Sequence, residues 1–449
     1  MEECVMSKIL SSRLAVLLLI AALMCGLCSC AAPQDSQKTP PVSSEEPPVQ
    51  PDTPVEPDTP AEPEKPAMNL AGIPVSQLKI VYPAAAAGSE SRFAQELADA
   101  LSQAADCTVT VHADNDTSFS SEDALLLVGD CAGENLPKKP ADLAAGSSII
   151  SVSGRSILVS GADALGLYGA VTSLKEKILS ANGEDVALSA EDVFSYEHET
   201  IRVMSFNILG YNRTAARDNR VLTMITNYMP DCLGLQEADS KWLQNLKQYF
   251  HEQKLPYSYV GPNGSELAAS AGLFYRTDKF KLLDYGIKYL SSTPDTPSAV
   301  SGAQGKRLIT WVLLEENETG KTFVHVNTHL DTSSYGKTRD AQANILMGIL
   351  AQFKEYPMVV TGDFNARPNA LPYALMIFDG FVSSREAALT THGGDTFHDY
   401  GEASPGAIID HIFYLPGRTA AVNYRVCDEK INDNYPSDHY PIIADLVIW

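Results

Sequence analysis

Met358-Val359-Val360-Thr361-Gly362-Asp363-Phe364-Asn365 is an apolar run that ends in a carboxylate and an amide. Strand alternation puts Asp363 and Asn365 on one face. The same pattern recurs on either side of it. Ile201-Arg202-Val203-Met204-Ser205-Phe206-Asn207 ends in an amide on the face of Val203 and Ser205. Cys232-Leu233-Gly234-Leu235-Gln236-Glu237 ends in a carboxylate, and 322–330 places His325, Asn327 and His329 on one face. Ile408-Ile409-Asp410-His411-Ile412-Phe413 sets a carboxylate inside an apolar strand. Ser437-Asp438-His439-Tyr440-Pro441 precedes a last apolar strand over 442–447.

Singly, each feature is ordinary: an Asn at a strand end forms turns, and a buried Asp needs only a partner. Together they demand a common explanation. Burying an unpaired carboxylate costs several kcal/mol, and several near one point repel unless a cation or an imidazolium neutralises them. Carboxylate and amide oxygens with imidazoles alongside suit a hard ion, Mg2+ or Mn2+, better than structural zinc. Residues 200–449 have no CxxC or HExxH zinc pattern, and the sequence has no Gly-x-Ser-x-Gly elbow and no Walker loop.

Asn207, Gln236-Glu237, Asn327-Thr328-His329-Leu330-Asp331, Gly362-Asp363-Phe364-Asn365-Ala366, Ile409-Asp410-His411-Ile412 and Ser437-Asp438-His439-Tyr440-Pro441 come in the order of the endonuclease/exonuclease/phosphatase superfamily, which residues 200–449 resemble. That group includes deoxyribonuclease I, abasic-site endonucleases, neutral sphingomyelinases, inositol-polyphosphate 5-phosphatases and deadenylases. The resemblance implies an α/β fold, a four-layer α/β/β/α sandwich with the site at one edge. It implies that Glu237 binds the metal with Asn207 beside it, and that Asp438 completes or extends that site. His439 would be the general base, or act with Asp410, which orients it. Asp363 would align or deprotonate the attacking water, Asn365 would hold the water or a phosphoryl oxygen, and His329 would stabilise charge growing on phosphate. The number of ions and the choice of His439 or Asp363 as base stay open. His325 and His411 read as structural. His392, His398 and Arg307 are candidates for substrate contact, and Asp331 is a metal neighbour or a turn residue.

Upstream, residues 69–195 read as a smaller N-terminal α+β domain. Strands are expected at 78–82, 108–112, 125–128, 149–152 and 157–159, and helices at 89–105 and 164–179. This order resembles the non-catalytic second domain of hexosaminidase-like glycoside hydrolases, which implies a packing or binding role and a possible cell-wall or glycan contact. The plainer reading is a spacer. Cys107 and Cys131 are candidates to pair after export. Residues 31–68 hold 11 of the chain's 27 prolines and mostly acidic charge, the composition of an extended tether. Before them, Lys8 and Arg13 precede an apolar run over 14–24, about half of the roughly 20 residues a spanning helix needs. Leu27-Cys28-Ser29-Cys30 then resembles a bacterial lipobox, which makes residues 1–30 a lipoprotein signal and Cys30 the lipidated residue; the alternative is an ordinary signal peptide cut by another peptidase. The expected location is extracytoplasmic, lipid-anchored to the bacterial cell membrane.

The 449 residues carry 33 basic and 56 acidic side chains, a net charge of −23. That excludes a protein that coats nucleic acid through a broad basic surface. The expected function is divalent-metal-dependent hydrolysis of phosphodiester or phosphomonoester bonds. The expected partners are nucleic acid, a phospholipid head group or a sugar or polyol phosphate. A catalytically silent binding lipoprotein is the alternative.

Overall fold

The computed structural model describes residues 67–449 except 85–88, 116–118, 120–121, 134–135, 264, 266–270, 333–335 and 404. The signal segment, Cys30 and nearly all of the tether lie outside the described residues.

Two sheets build the C-terminal region. The first runs, edge to edge, Tyr257–Val260, Ala271–Arg276, Cys232–Gln236, Ile201–Asn207, Ile442–Ile448, Thr419–Val426 and Thr390–His392. The second runs Phe280–Tyr289, Leu308–Glu316, Thr322–His329, Met358–Asp363, Asp410–Tyr414 and Val382–Ser383. Each sheet holds one parallel pair at its centre, and these two pairs decide where the site lies. Ile201–Asn207 runs parallel to Cys232–Gln236, with Asn207 opposite Gln236. Thr322–His329 runs parallel to Met358–Asp363, with His329 opposite Asp363 and Asp410 on Asp363's other side. A parallel register brings strand ends to the same edge, so the polar ends stand abreast while the apolar stretches stay inside.

Between the sheets lies a core that includes Val203, Cys232, Leu273, Phe280, Phe323, Val359, Ile412, Tyr424 and Leu446. Helices Ala215–Tyr228 and Ser240–Glu252 cover the outer face of the first sheet, with Val221, Ile225, Trp242 and Leu246 packed inward. Helices Gly336–Leu350 and Leu371–Phe378 cover the second, with Leu346, Ile349 and Met376 inward. The result is the expected α/β/β/α sandwich. The helix Ala215–Tyr228 is started by Thr214, which caps it by accepting from the Arg217 amide at 3.2 Å.

A polar seam crosses the inter-sheet core. Asn327 donates Nδ2 to the carbonyls of Leu235 and Gly272 at 2.9 Å each, and its Oδ1 accepts from Gln236 Nε2 at 2.7 Å. Thr361 joins it, and His325 Nε2 meets Thr361 Oγ1 at 3.0 Å. Every member is buried and makes at least one hydrogen bond within the seam. His325 is therefore structural, as expected. Gly234 lies over this seam: a Cβ there would fall 2.4 Å from Thr361 Oγ1 and 2.6 Å from Asn327 Oδ1.

The N-terminal module is a separate six-stranded sheet, ordered Thr110–Ala113, Leu78–Tyr82, Ala124–Val128, Ser156–Gly161, Ser147–Ser153 and Glu191–Ser195. Its first four strands are parallel, and the last two add antiparallel. Helices Ser89–Ala105 and Ala164–Ser180 pack on one face. The glycines in the first turns of the second helix have a steric cause: a Cβ on Gly166 would lie 2.1 Å from the Ser147 carbonyl oxygen, and one on Gly169 2.5 Å from Ser148 Oγ. Cys107 and Cys131 do not pair. Both thiols are free, and they belong to apolar clusters on different sides of the sheet.

The module is no bare spacer, because it shares a core with the sandwich. Trp449 stacks on Tyr168 at 4.8 Å and meets Phe93 at 5.9 Å, while Ala420 and Val447 join the same cluster. The described residues from 67 to 449 accordingly form one compact unit.

Candidate active site

The abreast strand ends open into a cleft of about 850 Å³. Asn207, Glu237, His329, Asp363, Asn365 and His439 all line it. These are six of the eight catalytic and metal-binding candidates, and they come from five separate stretches of chain. Asp410 lies directly behind His439.

Glu237 follows the strand end with a left-handed backbone, φ 60°, which turns the chain out of the sheet. Its Oε2 accepts from the Gly210 amide at 3.1 Å, and its Oε1 lies 3.4 Å from Asn207 Nδ2. The same Nδ2 donates to Asp363 Oδ2 at 3.0 Å, while Asn207 Oδ1 accepts from the Leu209 amide at 3.1 Å. Asn207 is thus a bridge that donates to both carboxylates. Asp363 Oδ1 accepts from the Asn365 amide at 2.8 Å. Asn365, also left-handed at φ 49°, donates Nδ2 to the Leu330 carbonyl and approaches His329 Nε2 at 3.2 Å.

His439 is held between two carboxylates. Its Nδ1 lies 2.9 Å from Asp410 Oδ2, and its Nε2 lies 3.8 Å from Asp363 Oδ2. Phe397 sets its ring edge against the imidazole at 5.0 Å. Ser437 Oγ fixes this loop to the Asn207 carbonyl at 2.7 Å. Burial alone would lower the pKa of His439, but Asp410, then Asp363 and Asp438, outweigh it and raise it from 6.5 to about 10. Burial, and then the Asp410 charge, push Asp363 up to about 7. His329 is held well below 6.5 by burial, then by Arg307 and His439, so it is neutral.

The ordinary value for His439, 6.5, lies below its folded value. The imidazolium therefore stabilises the fold fully below about pH 6.5, and this contribution fades as pH rises toward 10. In the metal-free protein, NMR titration of the His439 ring should give a midpoint near 10. Asp410→Asn should lower it by at least about two units, because the main counter-charge is gone. An unchanged midpoint would mean that Asp410 does not hold the imidazolium.

Asp438 does not join this group. It is half-buried and does not line the cleft; its Oδ1 accepts from Ser437 Oγ at 3.1 Å. Its carbonyl accepts from the amides of His398 and Asp399, which fastens the 395–407 loop. Neither His392 nor His398 lines the cleft. His392 is exposed, and His398 stacks on Tyr440 at 3.8 Å, behind the site. His411 is structural, meeting the Ala366 carbonyl at 2.8 Å. Asp331 is fully buried and pairs with Arg307 at 2.8 Å, which occupies it as a positioning partner. Arg307 does line the cleft.

Sequence reasoning missed four residues here. Tyr211, Arg339 and Arg367 line the cleft from helix and loop positions that carry no distinguishing pattern. Arg217 is buried and donates to the carbonyls of Ile208, Leu209, Tyr211 and Pro436. Its signal was available, since it sits four residues before Val221 on the buried stripe of its helix.

Glu237 and Asp363 offer the cleft negatively charged hard oxygens, a donor set that fits Mg2+ or Mn2+. Asp363, Asp410 and His439 also bring ligand atoms within 4.8 Å of one another. There, however, one ring nitrogen of His439 is already engaged by Asp410.

The profile of the Endonuclease/Exonuclease/phosphatase family matches residues 204–439. Human nocturnin is 26% identical over 301 residues, covering 56% of this chain and 65% of its own length. Nocturnin of Drosophila melanogaster is 24% identical over 315 residues, covering 56% and 47%. The chain thus spans about half to two thirds of the length of these relatives. Among solved structures, an endonuclease/exonuclease/phosphatase family protein from Bacteroides thetaiotaomicron is 25% identical with a TM-score of 0.50, covering 57% of this chain and 100% of its own. One from Bacteroides vulgatus is 28% identical, also at 0.50, covering 56% and 100%.

Proposed function

Because the chain belongs to the endonuclease/exonuclease/phosphatase family, whose members hydrolyse phosphoesters and generally use divalent metal ions, we propose that its cleft is a metal-dependent phosphoesterase site. The observation that carries this reading is the meeting of both sheets' polar strand ends, Asn207 with Glu237 and His329 with Asp363, beside the His439–Asp410 pair.

Glu237 would hold the metal, with Asp363 beside it. When bound, the ion supplies Lewis-acid stabilisation of charge on the phosphoryl oxygens. The remaining work falls to this chain's own groups. With carboxylates facing both its nitrogens, His439 is a donor, an imidazolium that steadies negative charge. Asp363, flanked by Asn207 and the Asn365 amide, takes the proton from the attacking water. Asn365 positions that water or a phosphoryl oxygen, and neutral His329 donates to the phosphate.

Display on the outer face of a bacterial membrane, through lipidated Cys30 and the 31–68 tether, is the setting this reading takes. Its support is the lipobox-like Leu27-Cys28-Ser29-Cys30 and the Pro-rich acidic composition. A glycan-facing role for the N-terminal module rests on its resemblance to a glycosidase accessory domain.

A panel of nucleic acid, sphingomyelin, inositol phosphates, glycerol-phosphate polymer and bis-p-nitrophenyl phosphate tests the activity. With Mg2+ or Mn2+, at least one is turned over, and chelation abolishes the turnover. Turnover that survives chelation, or none on any member, contradicts the reading.

A further inference from the structure

We propose that the cleft selects a dianionic phosphomonoester over a monoanionic diester, through the guanidinium groups of Arg307, Arg339 and Arg367; this rests on the phosphoesterase reading above. The lining carries both signs of charge. Beside Glu237 and Asp363 it holds these three arginines, of which Arg339 donates to the Asn365 carbonyl.

The three arginines differ in how far their charge is already answered. Arg307 is 4% exposed and its Nε donates to Asp331, which Gln342 Nε2 also holds at 2.9 Å. That pair is internally neutral, yet Nη1 of Arg307 is buried without a hydrogen-bond partner. Arg339 donates Nη1 to the carbonyl of Asn365, its Nε is buried without a hydrogen-bond partner, and its nearest carboxylate oxygen, on Asp340, stands off at 3.9 Å. Arg367 is exposed and donates Nη2 to the Gly406 carbonyl at 3.1 Å. Among the described residues, no carboxylate lies within ion-pair distance of it. Two anchored guanidiniums thus bring positive charge to the cleft that the protein itself leaves largely unanswered.

The charge that Arg339 and Arg367 bring to the lining is left for an anionic ligand to answer. The phosphate chemistry decides which ligand. A monoester carries close to two negative charges near neutral pH and three terminal oxygens. A diester carries one charge and two such oxygens. The planar fork of Arg matches phosphate oxygens in pairs, so each added guanidinium rewards the added charge and oxygen of the monoester. A cleft of about 850 Å³ is also of small-ligand size.

The test compares kcat/KM of the full chain on p-nitrophenyl phosphate and on bis-p-nitrophenyl phosphate with Mn2+. The wild type should prefer the monoester. Arg339→Gln and Arg367→Gln should each lower the monoester-to-diester ratio about tenfold, mainly through a higher KM for the monoester. Arg367→Lys should recover part of it, since charge returns without the fork. Arg367 is exposed, so its variants keep the fold. Diester preference in the wild type, or a ratio unmoved in both Gln variants, overturns the inference and leaves the phosphoesterase reading standing. No turnover of the monoester overturns the inference, while the phosphoesterase reading falls only if no member of the wider panel is turned over.

Discussion

Replacing His439 or Asp363 with alanine should lower turnover by about 10³- to 10⁴-fold while thermal melting still shows a folded protein. The two residues face one another at 3.8 Å across the cleft. Asp363 is buried with its pKa pushed up to about 7, so its charge is a burden on the folded state. Its loss removes that burden together with the acceptor for the water proton. Asp363→Asn keeps the shape and should be as inactive as the alanine variant, which separates the proton's destination from packing. His439→Ala leaves Asp410 buried without its partner, so some stability is lost. Steady-state rates beside melting curves decide the matter. Activity within about threefold of the parent in either variant would remove that residue from the chemistry.

Arg217→Met should cost about 3 kcal/mol or more of stability. The guanidinium donates to four carbonyls, at 2.7 Å to Ile208, 2.6 Å to Leu209, 2.8 Å to Tyr211 and 3.3 Å to Pro436. Methionine fills much of the same volume but answers none of them, and hydrogen bonds to a charged group are worth about 1.5–3 kcal/mol each. Those carbonyls belong to the loop after Asn207 and to the residue before Ser437. Arg217 therefore ties the Glu237-binding loop, through Gly210, to the loop that carries His439. Turnover should fall along with stability. Arg217→Lys should rescue little, because a compact ammonium cannot reach four acceptors arrayed around a plane. Urea denaturation measures the loss, with the slope checked for constancy. A loss below about 1 kcal/mol would show the arginine to be dispensable.

What could be read from the sequence followed the clearest physical signals. Leu78–Tyr82, Ser89–Ala105 and Ile201–Asn207 match the expected boundaries, because apolar periodicity marks the face, while Pro83 stops the first strand and Asn207 ends the last. The site residues announced themselves in the same way: each carboxylate or imidazole at an apolar strand's end needed a partner from elsewhere in the chain. Strand Glu191–Ser195 was not legible, since its exposed edge position imposes no apolar pattern. Arg339 and Arg367 were invisible because cleft-facing helix and loop positions have no period that marks them. Asp331 was read as a metal neighbour or a turn. Its partner Arg307 lies 24 residues away, and only the pairing of Leu308–Glu316 with Thr322–His329 brings the two together. Whether the candidates Cys107 and Cys131 pair was equally illegible: the sheet separates them, and both thiols are free.

The central claim is that side chains from the two sheets converge on one cation. Anomalous diffraction from crystals of the protein grown with Mn2+ tests it most directly. The expected result is a single strong peak in the cleft, about 2.1 Å from a Glu237 carboxylate oxygen, which disappears in Glu237→Gln. An empty cleft at saturating Mn2+, or an ion ligated by Asp410 and His439 in place of their hydrogen bond, would contradict it.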